Sequence, residues 1–69
     1  MSNIKIFDNI KDVCEDRGLS ISALERKANI GNGTISRWNE SSPRLDKIMA
    51  VAKVLEVPLS VLIEEEVTE

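Results

Sequence analysis

Four polar or charged residues and a glycine stand almost together in the middle of the chain: Asn32, Gly33, Thr34, Ser36 and Arg37, set among the apolar residues Ile30, Ile35 and Trp38. On a helix, Ile35 and Trp38 lie one turn apart and face inward together, which leaves these five positions facing outward. The Arg37 guanidinium offers a planar fork of donors, and the Asn32 amide sets a donor beside an acceptor. Both suit a flat edge that presents two hydrogen-bonding atoms side by side. Thr34 and Ser36 add short hydroxyls, and Gly33, with no side chain, permits close backbone approach. Catalytic chemistry has no comparable set. The chain contains no His and one Cys, and it shows no metal-ligand cluster and no glycine-rich phosphate loop. The carboxylate pairs Asp12 with Asp16 and Glu15 with Asp16 belong to an exposed helix face. The expectation is a non-enzyme without cofactor, metal or small-molecule substrate. Cys14 falls on an apolar stripe and reads as a small buried hydrophobe. The spacing of Trp38 from Ile35 assigns the single Trp to the core, not to a stacking surface.

Helical periodicity runs throughout, and no stretch alternates with period two long enough to propose a sheet. Asn3 is a plausible N-cap for a first helix with Ile6, Phe7, Ile10, Val13 and Cys14 on one face, ending at Gly18. Ser20 caps a second helix to about Ala28, carrying Leu24 and Ala28 on its buried side. Ser22 is a rival, because Ser22 and Glu25 have capping-box spacing. A third helix begins at Gly31 or Asn32 with Ile35 and Trp38 inward. After Ser41-Ser42-Pro43, a fourth runs from about Leu45 to Leu55 with the stripe Leu45, Ile48, Met49, Ala52 and Leu55. Pro58 suits the first turn of a short fifth helix, whose apolar side is Leu59, Leu62 and Ile63. Between the second and third helices the backbone must pass through the left-handed region, which Asn tolerates best after Gly, and Asn29 stands there. Leu24, Ala28, Ile30, Ile35 and Trp38 have the spacing that locks two short helices at a steep angle. The result is an all-α, compact single domain over residues 1–63, with residues 64–69 as an acidic, frayed tail.

A chain of 69 residues builds one small core. One cysteine, no charged-then-apolar leader and no apolar run approaching the roughly 18 residues of a membrane span lead to the expectation of a cytoplasmic protein without a membrane partner. The net charge is −3, which opposes a polyanionic partner, but four of the twelve acids (Glu64, Glu65, Glu66 and Glu69) lie in the last six residues. Residues 1–63 hold nine bases and eight acids. From Arg26 to Lys53 the bases Arg26, Lys27, Arg37, Arg44, Lys47 and Lys53 face only Glu40 and Asp46, a local +4 that surrounds the polar cluster.

The run Gly18-Leu19-Ser20, Leu24, Ile30 to Trp38, Ser42-Pro43, Ile48, Ala52 to Val57 and Leu62-Ile63 resembles the Cro and lambda-repressor type helix-turn-helix regulators, the XRE family. The likeness extends from about Ile6 to Ile63. It implies a five-helix lambda-repressor-like fold, with the helix-turn-helix in helices two and three and the third helix in the DNA major groove. Three positions depart from the family pattern. Ile21 replaces a Gln that binds phosphate, Glu25 stands where a small residue is usual, and Asn29 replaces Gly. Glu25 is expected either to reach outward or to pair with a base such as Arg37.

The resemblance turns the polar cluster into a base-reading set. Arg37 can fork onto guanine O6 and N7 and Asn32 can pair with adenine N6 and N7, each pairing contributing roughly 1–3 kcal/mol of discrimination. Gly33 and Thr34 complete the candidate base contacts. Ser20, Ser22, Ser36, Arg44 and Lys47 are candidates for phosphate contact, assisted by free amides at the N-termini of helices two and three. The implied partner is double-stranded operator DNA, read by a homodimer on a palindrome with half-sites about 34 Å apart. Val57, Val61 and Ile63 are candidates for the dimer interface. On this reading the chain is a transcriptional repressor; a protein-binding module on the same fold, such as an antitoxin-like or polymerase-binding partner, is the alternative.

Overall fold

The computed structural model describes residues 5–63. Asn3 and the tail 64–69, to which roles are assigned above, lie outside these residues. Among the described residues there are four α-helices and one short 3-10 turn, in the order α1 (Ile6–Asp16), α2 (Ile21–Lys27), the turn Ile35–Arg37, α3 (Leu45–Leu55) and α4 (Leu59–Leu62). None of these helices is long and apolar enough to cross a membrane.

Helix α1 packs Ile10 and Cys14 fully inward, with Ile6, Phe7 and Val13 partly buried beside them. It ends as its sequence requires. Gly18 turns left-handed at φ +65°, the Leu19 N–H bonds to the Cys14 carbonyl at 2.9 Å and the Gly18 N–H to Glu15 at 3.2 Å, closing a Schellman motif. Helix α2 repeats this at Asn29, where φ is +59°. Its Ile30 N–H reaches the Glu25 carbonyl at 2.7 Å and its Asn29 N–H reaches Arg26 at 3.2 Å. The side chain of Ser20, not that of Ser22, is the N-cap, accepting the Ala23 N–H at 3.1 Å. The carboxylate of Glu25 does not return to Ser22, so the rival capping box does not form.

The core joins Ile10, Cys14, Leu24, Ile30, Ile35, Trp38, Ile48, Val51, Ala52, Leu55 and Leu62. Helix α1 packs on α2, α4 and the 3-10 turn, and α3 packs on α2 and α4. Asn9 fixes α1 to α4 by donating from Nδ2 to the Leu62 carbonyl at 2.8 Å.

Two expectations need correction here. The bounds of α3 match its sequence pattern, but its inward stripe is rotated: Val51 is fully buried while Leu45 and Met49 are 64% and 53% exposed. Both Leu45/Met49 and Val51 fit a 3.6-residue repeat beside Ile48, Ala52 and Leu55, and packing against α2 and α4 selects the Val51 side. The third of the five expected helices is not an α-helix. Gly33 at φ +84° lies outside right-handed helical space. The bonds that follow are mostly of the tighter three-residue type, Thr34 to Gly31 at 3.2 Å, Arg37 to Thr34 at 3.2 Å and Trp38 to Ile35 at 3.0 Å.

Candidate nucleic-acid interface

The segment after Asn29 runs over the surface with two anchors beneath it. Ile35 is fully buried and Trp38 is 5% exposed, which places the single Trp in the core. Between and around these anchors Asn32, Gly33, Thr34, Ser36 and Arg37 are all exposed. The outward set read from spacing is therefore the set that solvent reaches, although a turn and not an α-helix presents it. Arg37 makes no ion pair with any described residue, so its fork is available to a ligand.

Glu25 goes neither outward nor to Arg37. It is 2% exposed, its Oε1 accepts the Gly33 N–H at 3.0 Å, and its Oε2 accepts the Ile35 N–H at 3.0 Å. A buried carboxylate without partners would be strongly destabilising, and two amide donors, one on each oxygen, offset that cost. This arrangement explains why a small residue is not needed here: the extra bulk of Glu25 lies under the turn instead of against an α-helix. It also removes a site that the sequence suggested. The Gly33 and Ile35 amides are committed to Glu25 and the Thr34 amide to Gly31, so the start of the third segment does not offer these groups to a phosphate. Similarly, Ser36 donates its hydroxyl proton to the Gly33 carbonyl at 2.9 Å. As a phosphate donor it would have to give up that bond.

The remaining candidates keep their capacity. Ser20 accepts through Oγ at the start of α2, and its own proton stays free to donate. Ser22 is exposed and lines an open groove of about 370 Å³ together with Glu25, Arg26, Ile30 and Asn32. Lys47 is exposed on the first turn of α3. Arg44 pairs through Nε with Asp46 at 3.5 Å, but the two side chains are 86% and 67% exposed, so the pair is weak and exchangeable. All six bases from Arg26 to Lys53 are exposed. Of the proposed dimer residues, Ile63 is 41% exposed, whereas Val57 packs partly buried on the core and Val61 is half-buried.

Sequence reasoning missed a second support, Asn39. Its Oδ1 accepts the Phe7 N–H at 2.9 Å and its Nδ2 donates to Asp8 Oδ1 at 3.1 Å. Lys5 precedes α1 without a side-chain cap, so Asn39 satisfies one of its free amides from the far end of the exposed segment. Nothing local marks Asn39, because its partners lie more than thirty positions away. Glu25 did carry a signal: an acid where the family places a small residue.

A tight helix-turn-turn unit with an exposed hydrogen-bonding edge, flanked by exposed bases, is the architecture of a DNA-binding module. Residues 9–66 match the model of the Cro/C1-type HTH DNA-binding domain, and the chain belongs to that family. Among solved structures it is similar to the N-terminal DNA binding domain of SinR from Bacillus subtilis, with 26% identity and a TM-score of 0.79 over 91% of this chain and 96% of that one. It also shares its fold with apo-HppE, at 18% identity and a TM-score of 0.73 over 91% of this chain, which spans only 36% of that longer chain. No curated protein matches in sequence.

Proposed function

We propose that this DNA-binding domain is a transcriptional regulator acting as a repressor, which binds a palindromic operator as a homodimer and reads its base edges with the exposed segment 32–37. The observation that carries this reading is the exposure of Asn32, Thr34 and Arg37 on a segment anchored by Ile35 and Trp38, with unpaired Arg37 at its far end. Arg37 forks onto guanine and Asn32 pairs with adenine, while Gly33 lets the backbone approach. Ser20, Ser22, Arg44 and Lys47 bind phosphates and hold the register without reading sequence. Ile63, with Val57 and Val61 behind it, supplies the contact between protomers. Occupying a promoter and blocking polymerase is sufficient for repression and requires no ligand-sensing part.

Selection from random duplexes tests this, followed by anisotropy titration of the selected duplex over a range of salt with wild type and Arg37→Ala. The expected result is a palindrome with half-sites about ten base pairs apart, a steep salt slope, and relaxed specificity in the variant. Absence of any enriched sequence would sink the proposal. Exposed Leu45 and Met49, one turn apart on α3, favour a second reading in which the domain binds a protein. That reading requires binding to survive Arg37→Ala and to fail in Leu45→Ser with Met49→Ser.

A further inference from the structure

We propose that Glu25 is the positioning residue of the exposed segment: its buried carboxylate acts as an internal anion that occupies the Gly33 and Ile35 amides and fixes the turn in its DNA-reading shape. The inference rests on the DNA-reading function and deepens it. Its basis is geometric. Each oxygen of one carboxylate accepts one amide, at 3.0 Å in both cases, from residues eight and ten positions downstream. Gly33 is exposed and its N–H bonds to the Glu25 carboxylate, so this side chain is what shields that amide. Asn32 and Thr34 flank Gly33, and both therefore inherit their directions from a backbone that Glu25 holds.

The carboxylate also reassigns a site. A helix-turn-helix can bind an operator phosphate on the amides that open its recognition element, but here a side chain already fills that anion position. Phosphate contacts must then come from Ser20, Arg44, Lys47 and other exposed groups. Asn39 secures the opposite end of the segment to α1, so both ends are held by side chains before DNA arrives. Preorganisation of this kind raises affinity by removing the ordering cost of binding, without adding a contact.

Glu25→Gln tests the assignment. A Gln has nearly the same shape, but its one oxygen can accept one amide while its NH2 group opposes the other donor. The substitution also removes a negative charge, which by simple electrostatics can only improve binding to DNA. A loss of binding therefore reports the geometry of the turn and not the field. Amide exchange is measured by NMR on wild type and variant, with the Leu24 and Leu55 amides as helical controls. In wild type, Gly33 should exchange at least about tenfold more slowly than an open glycine amide. In the variant, Gly33 or Ile35 should lose about tenfold in protection while the helical controls keep theirs. On DNA, the variant's preference for the wild-type-selected duplex over a random duplex should fall about tenfold, with affinity for the random duplex unchanged or higher.

Rapid exchange of Gly33 in wild type overturns the proposal, as does a folded variant that keeps both protections or the full preference. If the variant does not fold, the wild-type Gly33 measurement decides. If wild type selects no sequence, the DNA reading has failed separately, and the exchange data decide the clamp on their own.

Discussion

Replacing Gly33 by Ala separates the backbone role of this position from the role at the DNA proposed for it, because the fold contains a matched control. Gly33 and Gly18 both occupy positive φ, at +84° and +65°, and a Cβ built on either would meet nothing within 4 Å. The cost of Ala at each site is therefore backbone strain alone. The left-handed region costs an L-residue about 1–2 kcal/mol, of which about 0.4–1 kcal/mol is returned by a less flexible unfolded chain. Each variant should be destabilised by about 1 kcal/mol, which for a domain of this size lowers the melting temperature by about 4–8 °C. Circular dichroism melts should give similar shifts for Gly18→Ala and Gly33→Ala. Anisotropy titrations well below both transitions should then diverge: Gly18→Ala binds like wild type, whereas Gly33→Ala loses about tenfold, the 1.4 kcal/mol equivalent of one good groove contact. Equal binding by the two variants would refute close approach at Gly33. A much larger melting shift for Gly33→Ala would refute the claim that open space surrounds it.

Glu56 ends α3 in left-handed conformation at φ +58°, with its carboxylate at the negative end of the helix, so Glu56→Gly should stabilise by about 1 kcal/mol in denaturant unfolding, and Glu56→Lys by only the dipole part, about 0.3–1 kcal/mol. Arg44→Ala should weaken binding to all duplexes alike and reduce the slope of log affinity against log salt by about 0.9 per protomer; a change in sequence preference would contradict the phosphate contact proposed for it. Burial pushes the Cys14 thiol above its ordinary value of 9.0. The folded state then holds this proton where the unfolded chain releases it, so the contribution of Cys14 to stability should be constant below pH 9.0 and fall above it, and Cys14→Ala should lose that part of the alkaline decline.

What the sequence disclosed and what it withheld divide by range. Gly18, Ser20 and Asn29 act within a few residues of themselves, and the turns and cap they form are the ones their chemistry demands. The exposure of Asn32, Thr34 and Arg37 was legible because Ile35 and Trp38 had to point inward. The destination of Glu25 was not legible. Nothing local distinguishes a carboxylate that reaches solvent from one that reaches two amides across a turn. The stripe of α3 failed for a related reason. Ile48, Ala52 and Leu55 leave two neighbouring faces open, and only the helices packed against them choose between Val51 and the Leu45/Met49 side.

The burial of Trp38 has a consequence for the form of nucleic acid this domain accepts. Single strands are held largely by stacking unpaired bases on aromatic rings, and this chain has one Trp, one Phe and no Tyr. Trp38 is 5% exposed and Phe7 packs on the core, so both rings serve the fold and neither forms a platform for a base. The exposed segment 32–37 and the bases around it offer instead a hydrogen-bonding edge and cations, groups that gain most where bases are already stacked and their edges are displayed in register. The domain should therefore bind a duplex in preference to either of its separated strands, and a competition titration with the two forms checks this.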